Sequence, residues 1–282
     1  MRYDSLDSYL ATGTLKGPVA IVMAEDEVEI ASTLAHCLRI GFATVLLLAP
    51  PEIVVEIDAR AVRIDHDAHA DNALPRAVNR LIAAAPGVWM HYCFNAEYLF
   101  FPFCETRRVR ELIAFHAEER RDAFLTYVVD LYAGDLHRFP LAVSLEEALL
   151  DKSGYYALGR KGPEGEPRER QLDFFGGLRW RYEEHIPLSR RKIDRIALFR
   201  AKEGLVLNPD FTFNDQEYNT YSCPWHHSAT IATCSFRTAK ALKTNPASRY
   251  GVADMRWHNS VEFRWHSQQL MDLGLMEPGQ WV

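Results

Sequence analysis

Cysteine is scarce in this chain and stands in no pairing pattern. Cys37, Cys93, Cys104, Cys223 and Cys234 make an odd set, and no Cys-x-x-Cys occurs. That argues against a disulfide framework and a zinc site, and it fits a reducing compartment. Positive charge is not in excess either: 32 Lys and Arg stand against 38 Asp and Glu, a formal net charge of -6. Broad attraction to nucleic acid is therefore not expected. No apolar run approaches the roughly 20 residues of a membrane span. The most apolar stretch, "FATVLLLAPPEIVV" (42–55), is cut by Pro50 and Pro51. The N-terminal "MRYDSLDSYLATGTLKG" is polar and lacks an apolar signal core. The expectation is a soluble cytoplasmic protein, with peripheral membrane contact through aromatic surfaces left open. GxSxG, the P-loop, GxGxxG and HExxH are all missing, which weakens hydrolase, ATPase, Rossmann-redox and zinc-hydrolase readings.

What is present is an ordinary globular composition, 48% hydrophobic and 25% charged over 282 residues. That is ample for a core, in one large domain with an elaborated second half. The first half alternates strand and helix signals. "PVAIVMA" (18–24) suits a strand buried on both faces. "EDEVEIASTLAHCLRIG" (25–41) has acids in its first turn and a closing glycine, so it reads as a helix. "ATVLLLAP" (43–50) and "AVRIDHD" (61–67) read as strands. "NALPRAVNRLIAAAPG" (72–87) is a helix with Pro75 near its first turn and a Pro-Gly stop. "VWMHYCF" (88–94) is a further strand, and another is expected within 123–131. The mixed-sign "RRVRELIAFHAEERRD" (107–122) reads as a solvated helix face.

The second half alternates less clearly. "GRKGPEGEPRER" (159–170) reads as a mobile polar loop. "RRKIDRIALFRA" (190–201) looks like a strand, and "TIATCSFRTAKAL" (230–242) a strand leading into a helix. Strands alternating with helices predict a mainly parallel sheet with right-handed crossovers. Ligands bind such sheets outside the carboxyl ends of the strands. Three strand ends carry acids: Glu25-Asp26, Asp65-His66-Asp67, and Glu97. Acids in these places also cap the helices that follow, but three in one sheet point to a ligand.

Several segments, in order, carry a resemblance. "AIVMAEDEVEIASTLAHCLRIGFATVLLL", "RIDHD", "VWMHYCFNAEYLFFP" and "RIALFR" resemble family-2 glycosyltransferases of the GT-A fold, in the bacterial branch of the "DADEFL" type. The likeness runs over about 18–242 and is most specific over 18–103. It implies a GT-A-like α/β fold with a mainly parallel sheet flanked by helices. Residues 1–140 would form the nucleotide-sugar-binding half and 141–282 the acceptor-side half of the same domain. It further implies a nucleotide-sugar donor, a glycan or lipid-linked acceptor hydroxyl as in cell-surface polysaccharide synthesis, inversion at the anomeric carbon, and a divalent cation, Mg²⁺ or Mn²⁺. Glu25, Asp26 and Asp65 would border the nucleotide.

The sequence departs from the pattern where the metal would bind. Aligned without a gap, the two family aspartates fall on Phe94 and Ala96. Shifted by one, they fall on Asn95 and Glu97, which become the candidate metal ligands. Left alone, Glu97 would need help from His226, His227, His258 or His266, or the enzyme would work without metal. A histidine that the branch carries near Cys234 is also missing. An inverting transfer needs a general base. Glu183 and Glu184 in "RWRYEEHIP" are candidates, with Asp173 in "LDFFGGLRW" as a rival. Trp180 is suited to stack on a sugar ring or to sit in an aromatic core. Arg190, Arg191, Lys192 and Arg195 would clamp a diphosphate or form a solvated strand edge. The alternative to an enzyme is a catalytically degenerate protein of the same fold that binds a glycan or a partner.

Overall fold

Apolar runs punctuated by turns build the first half of the sheet in this computed structural model, which describes residues 1–281. The elements are β1 (Arg2–Tyr3), α1 (Leu6–Thr12), β2 (Val19–Met23), α2 (Ile30–Ile40), β3 (Thr44–Ala49), β4 (Ala61–Asp65), α3 (Ala73–Ala84) and β5 (Trp89–Phe94). The order β1-β4-β3-β2-β5 is parallel throughout. Because strand side chains alternate, β2 feeds two cores at once. Ala20 and Val22 pack with Leu34 and Cys37 of α2. Val19, Ile21 and Met23 pack on the other face with Val78 and Leu81 of α3.

The chain then runs through β6 (Glu97–Phe100), α4 (Val109–Glu118), β7 (Ala123–Ala133), β8 (Ala148–Asp151), β9 (Tyr156–Lys161), β10 (Pro167–Phe175), α5 (Gly177–Arg181), β11 (Asp194–Arg200), β12 (Ile231–Ser235), α6 (Arg237–Thr244), β13 (Ser260–Glu262) and α7 (Ser267–Asp272). The sheet continues past β5 as β11-β7-β12-β6. Strand β11 runs antiparallel to both β5 and β7, and β12 is parallel to β7 but antiparallel to β6. The fold is α/β with a large sheet flanked by helices, but that sheet is mixed, not mainly parallel. Its second half owes this to β11, which enters between β5 and β7 from 60 residues further along the chain. Strands from both halves of the sequence thus share one sheet.

Three expectations change in detail. Helix α2 starts at Ile30, because residues 25–28 form a turn and Glu29 is left-handed at φ 55°. The segment 159–170 is an antiparallel hairpin, β9 with β10, turning where Gly162 N–H donates to the Glu166 carbonyl. Helix α4 is solvated on one side only, since Val109, Leu112 and His116 are buried. All five cysteines are free and buried. No helix among the described residues is long and apolar enough to cross a membrane.

Candidate functional site

The order in which strands are added to the sheet reverses at β2. Strands β3 and β4 are added on one side of it, and β5 on the other. Crevices open at such switch points, outside the carboxyl ends of the strands. Here a cleft of about 870 Å³ does so. Its floor includes Glu25 and Asp26 after β2 and Phe94 at the end of β5. The start of α3 closes one side, and Arg179 of α5 with Arg237 and Lys240 of α6 forms the opposite wall.

The acids at the strand ends are held by these cations. Arg237 Nε and Nη2 donate to the two oxygens of Glu25 at 2.7 and 2.6 Å. The same guanidinium lies over the Phe94 ring, 3.7 Å from its centroid. Lys240 Nζ donates to both oxygens of Asp26 at 2.9 and 2.7 Å. Three residues apart on α6, Arg237 and Lys240 share a helix face. Arg179 Nε donates to Thr238 Oγ1 at 3.3 Å, which ties α5 to the start of α6.

Asn95 and Glu97 have structural partners on every side. The Asn95 side-chain oxygen accepts from Glu25 N–H at 3.0 Å. Its amide nitrogen donates to Asp26 Oδ1 at 2.6 Å and to the Val28 carbonyl at 2.8 Å. These bonds hold the 25–28 turn and delay α2. Glu97 is 1% exposed. Its Oε2 accepts from Arg195 Nη2 at 2.7 Å and from Phe94 N–H at 2.8 Å, and its Oε1 accepts from Ser235 Oγ at 2.9 Å. Burial pushes the Glu97 carboxyl up, but the Arg195 charge and these hydrogen bonds outweigh it and hold the group down at about 2.

These residues do not fit a divalent cation. A hard cation needs several oxygens free to turn towards it. Both Glu97 oxygens are engaged in the interior, and Asn95 presents no free oxygen. Among the described residues, no group of three or more His, Cys, Asp or Glu side chains could hold a metal ion. The four histidines named as additional ligands lie with other partners. His226 bonds to Glu119 at 2.7 Å and His266 stands 3.8 Å from Glu105. His258 packs on Trp257, and His227 stacks near Tyr221.

The remaining expected acids, Asp65, Asp173, Glu183 and Glu184, lie outside the main cleft. Asp65 pairs with Arg2 at 2.7 Å and with Arg63 at 3.4 Å, because β1 adds to the sheet beside β4 and brings Arg2 to its end. Asp173 bonds to Arg160 at 2.7 Å and Lys192 at 3.3 Å. Glu183 bonds to Arg191 at 2.9 Å. Glu183 and Glu184 line a second, shallower cleft of about 450 Å³ with Trp180 and Trp257. The turn that carries Glu184 there also puts His185 into the wall of the main cleft. Of the basic run, Arg190, Lys192 and Arg195 line the main cleft and Arg191 does not.

Sequence reasoning missed Arg179, Arg237 and Lys240. One signal was available: "SFRTAK" puts two cations three residues apart where a strand turns into a helix. Asp130 was missed too. It is the last residue of β7 paired with β12, 1% exposed, and neither carboxyl oxygen has a hydrogen-bond partner among the described residues. Burial raises its pKa, and Arg179 stands 3.9 Å away.

No family model and no curated protein matches the chain. Among solved structures, the UDP-glucose pyrophosphorylase from Acinetobacter baumanii is similar at 9% identity and a TM-score of 0.33, over 83% of this chain and 95% of that one. A likeness of that size carries no argument, so function rests on the cleft itself.

Proposed function

We propose that the main cleft binds a nucleotide diphospho-sugar, and that the chain transfers the sugar to a hydroxyl of a glycan or lipid-linked acceptor. The observation that supports this is the meeting of an acidic edge, Glu25 and Asp26, with a basic wall, Arg179, Arg237 and Lys240, at the switch point of the sheet. Carboxylates accept hydrogen bonds from ribose hydroxyls and base N–H groups. Guanidinium and ammonium groups bind phosphate oxygens. The volume lies within the ordinary range of small-molecule sites.

In this reading the acceptor enters over the second cleft, where Trp180 is 44% exposed beside Trp257. An attacking hydroxyl must lose its proton to a base as the glycosidic bond forms and the bond from the anomeric carbon to the phosphate oxygen breaks, with the nucleoside diphosphate as leaving group. Glu184 is the candidate whose carboxylate is not tied to an arginine; His185 Nε2 stands 3.8 Å from its Oε1. Asp173 and Glu183 are held in ion pairs.

A second reading is a binding module without catalysis. It is favoured by the burial of Glu97 against Arg195, which takes the acid of the resembling motif out of the cleft. Calorimetric titration with UDP, GDP and their sugars, followed by measurement of nucleotide release, separates the two. Release that Glu184→Gln suppresses supports the transferase. Binding of a nucleotide sugar with no release supports the module. No binding of any nucleotide or nucleotide sugar rejects the transferase and favours a module that binds a glycan or a partner.

A further inference from the structure

We infer that the cleft neutralises a diphosphate with fixed side-chain cations, Arg237 and Lys240 with Arg179, in place of a divalent metal ion. This rests on the nucleotide diphospho-sugar reading for its ligand, but not for its physics. At the end of β5, each group that would have faced a cation is bound to a protein donor. Glu97 gives its oxygens to Arg195, Ser235 and Phe94 N–H. Asn95 uses its amide to hold the 25–28 turn. Positive charge has instead been built into the opposite wall.

That wall is organised for an anion in three ways. Helix α6 begins at the cleft without a side-chain cap from Phe236, and Arg237 N–H is taken by Ser235 Oγ at 3.2 Å, so its positive end is only partly answered by protein oxygen. The Arg237 guanidinium is held flat by Phe94 and by its two bonds to Glu25, and among the described residues its Nη1 has no hydrogen-bond partner. Arg179 is similar: Nε is bound to Thr238 and Nη1 to the Lys192 carbonyl, while Nη2 has no hydrogen-bond partner among the described residues. Two arginines therefore present an unused nitrogen while their positions are fixed by the others. A fixed donor loses little freedom when an oxyanion arrives, so the site is prepared for one. Glu25 and Asp26 act here as positioning residues. They aim Arg237 and Lys240, and they do not need to bridge to the phosphate through a metal.

The test uses the full chain, with UDP and inorganic pyrophosphate as probes, by calorimetry in EDTA and again with Mn²⁺ or Mg²⁺. The expected result is binding of both probes in EDTA, with affinity altered by no more than about twofold when metal is added. Arg237→Gln should weaken both probes by roughly tenfold or more, the scale of a lost charge-assisted hydrogen bond. Thermal unfolding checks that the variant is folded; if it is not, Lys240→Gln carries the same test. UDP binding that appears only with metal overturns the inference and leaves the nucleotide reading standing. Pyrophosphate binding in EDTA without binding of any nucleotide supports the cation wall and rejects the nucleotide reading. No binding of either probe overturns both. Wild-type affinity in folded Arg237→Gln and Lys240→Gln also overturns the inference.

Discussion

Arg195 on β11 and Glu97 at the start of β6 form an ion pair inside the protein, with Nη2 2.7 Å from Oε2 and both side chains almost wholly out of solvent. The pair joins the strand that makes the sheet mixed to the turn that follows β5. It therefore fixes the geometry of the cleft floor, although neither group needs to touch a ligand to do so.

Removing one partner should be far worse than removing both. Arg195→Met leaves a buried carboxylate without its cation and should cost about 3–5 kcal/mol in urea unfolding. The double variant Arg195→Met, Glu97→Met should recover most of that loss. The pH dependence has a definite sign. The folded carboxyl is held at about 2, below its ordinary 4.5. The stability it contributes is full above that unfolded value and is lost as pH falls towards about 2. Arg195→Met should lose this dependence. Equal stability of wild type and the single variant would show the pair to be idle.

Asn95 invites a substitution that would restore a carboxylate to the resembling motif, and the structure says it should fail. Its amide donates to Asp26 Oδ1 and to the Val28 carbonyl. Asn95→Asp has no such donors and sets a second carboxylate against Asp26. The expected loss is about 2–4 kcal/mol, from unsatisfied acceptors and like charge. Added Mn²⁺ should leave the melting temperature of Asn95→Asp unchanged. A clear rise with Mn²⁺ would mean that the 25–28 turn can open to bind a cation.

The first-half strands and α3 are legible in the sequence because each is a short apolar run or an amphipathic stretch between turn residues. The place of a cleft at the carboxyl ends of β2 and β5 follows from that alternation. What does not follow is which groups meet there. Arg237 lies 212 residues from Glu25, and nothing local in either segment specifies their pairing. Asp65 looked like a cleft residue because its strand ends in acids, yet two residues of β1 at the N-terminus were enough to supply it with Arg2. The hairpin of β9 and β10 was hidden for a different reason. Its sequence is polar because most of β9 is exposed, so its apolar signal is weak. The start of α2 was misplaced because acids after a strand resemble a helix first turn, whereas here the Asn95 side chain holds them in a separate turn.

Two buried histidines should make the protein sensitive to acid well before Glu97 titrates. His36 on α2 donates from Nε2 to the Leu99 carbonyl at 2.7 Å and accepts from Arg39 at Nδ1. His116 on α4 donates from Nε2 to the Ala123 carbonyl at 2.9 Å and stacks on Phe124 at 3.6 Å. Burial drives their pKa values down, to about 4 and about 3, against a partial upward pull from the carbonyls. Both folded values lie below the ordinary 6.5, so the unfolded chain binds more protons between. Their contribution is complete above pH 6.5 and is lost as pH falls, first through the His36 range and then to that of His116. Between pH 6 and pH 5, each should make stability fall by roughly 1 kcal/mol per pH unit. Urea unfolding across that interval checks the slope. His36→Gln keeps a donor for the Leu99 carbonyl but cannot take up a proton, so it should remove its share of the slope while largely preserving the fold. An unchanged slope in folded His36→Gln would place the acid sensitivity elsewhere.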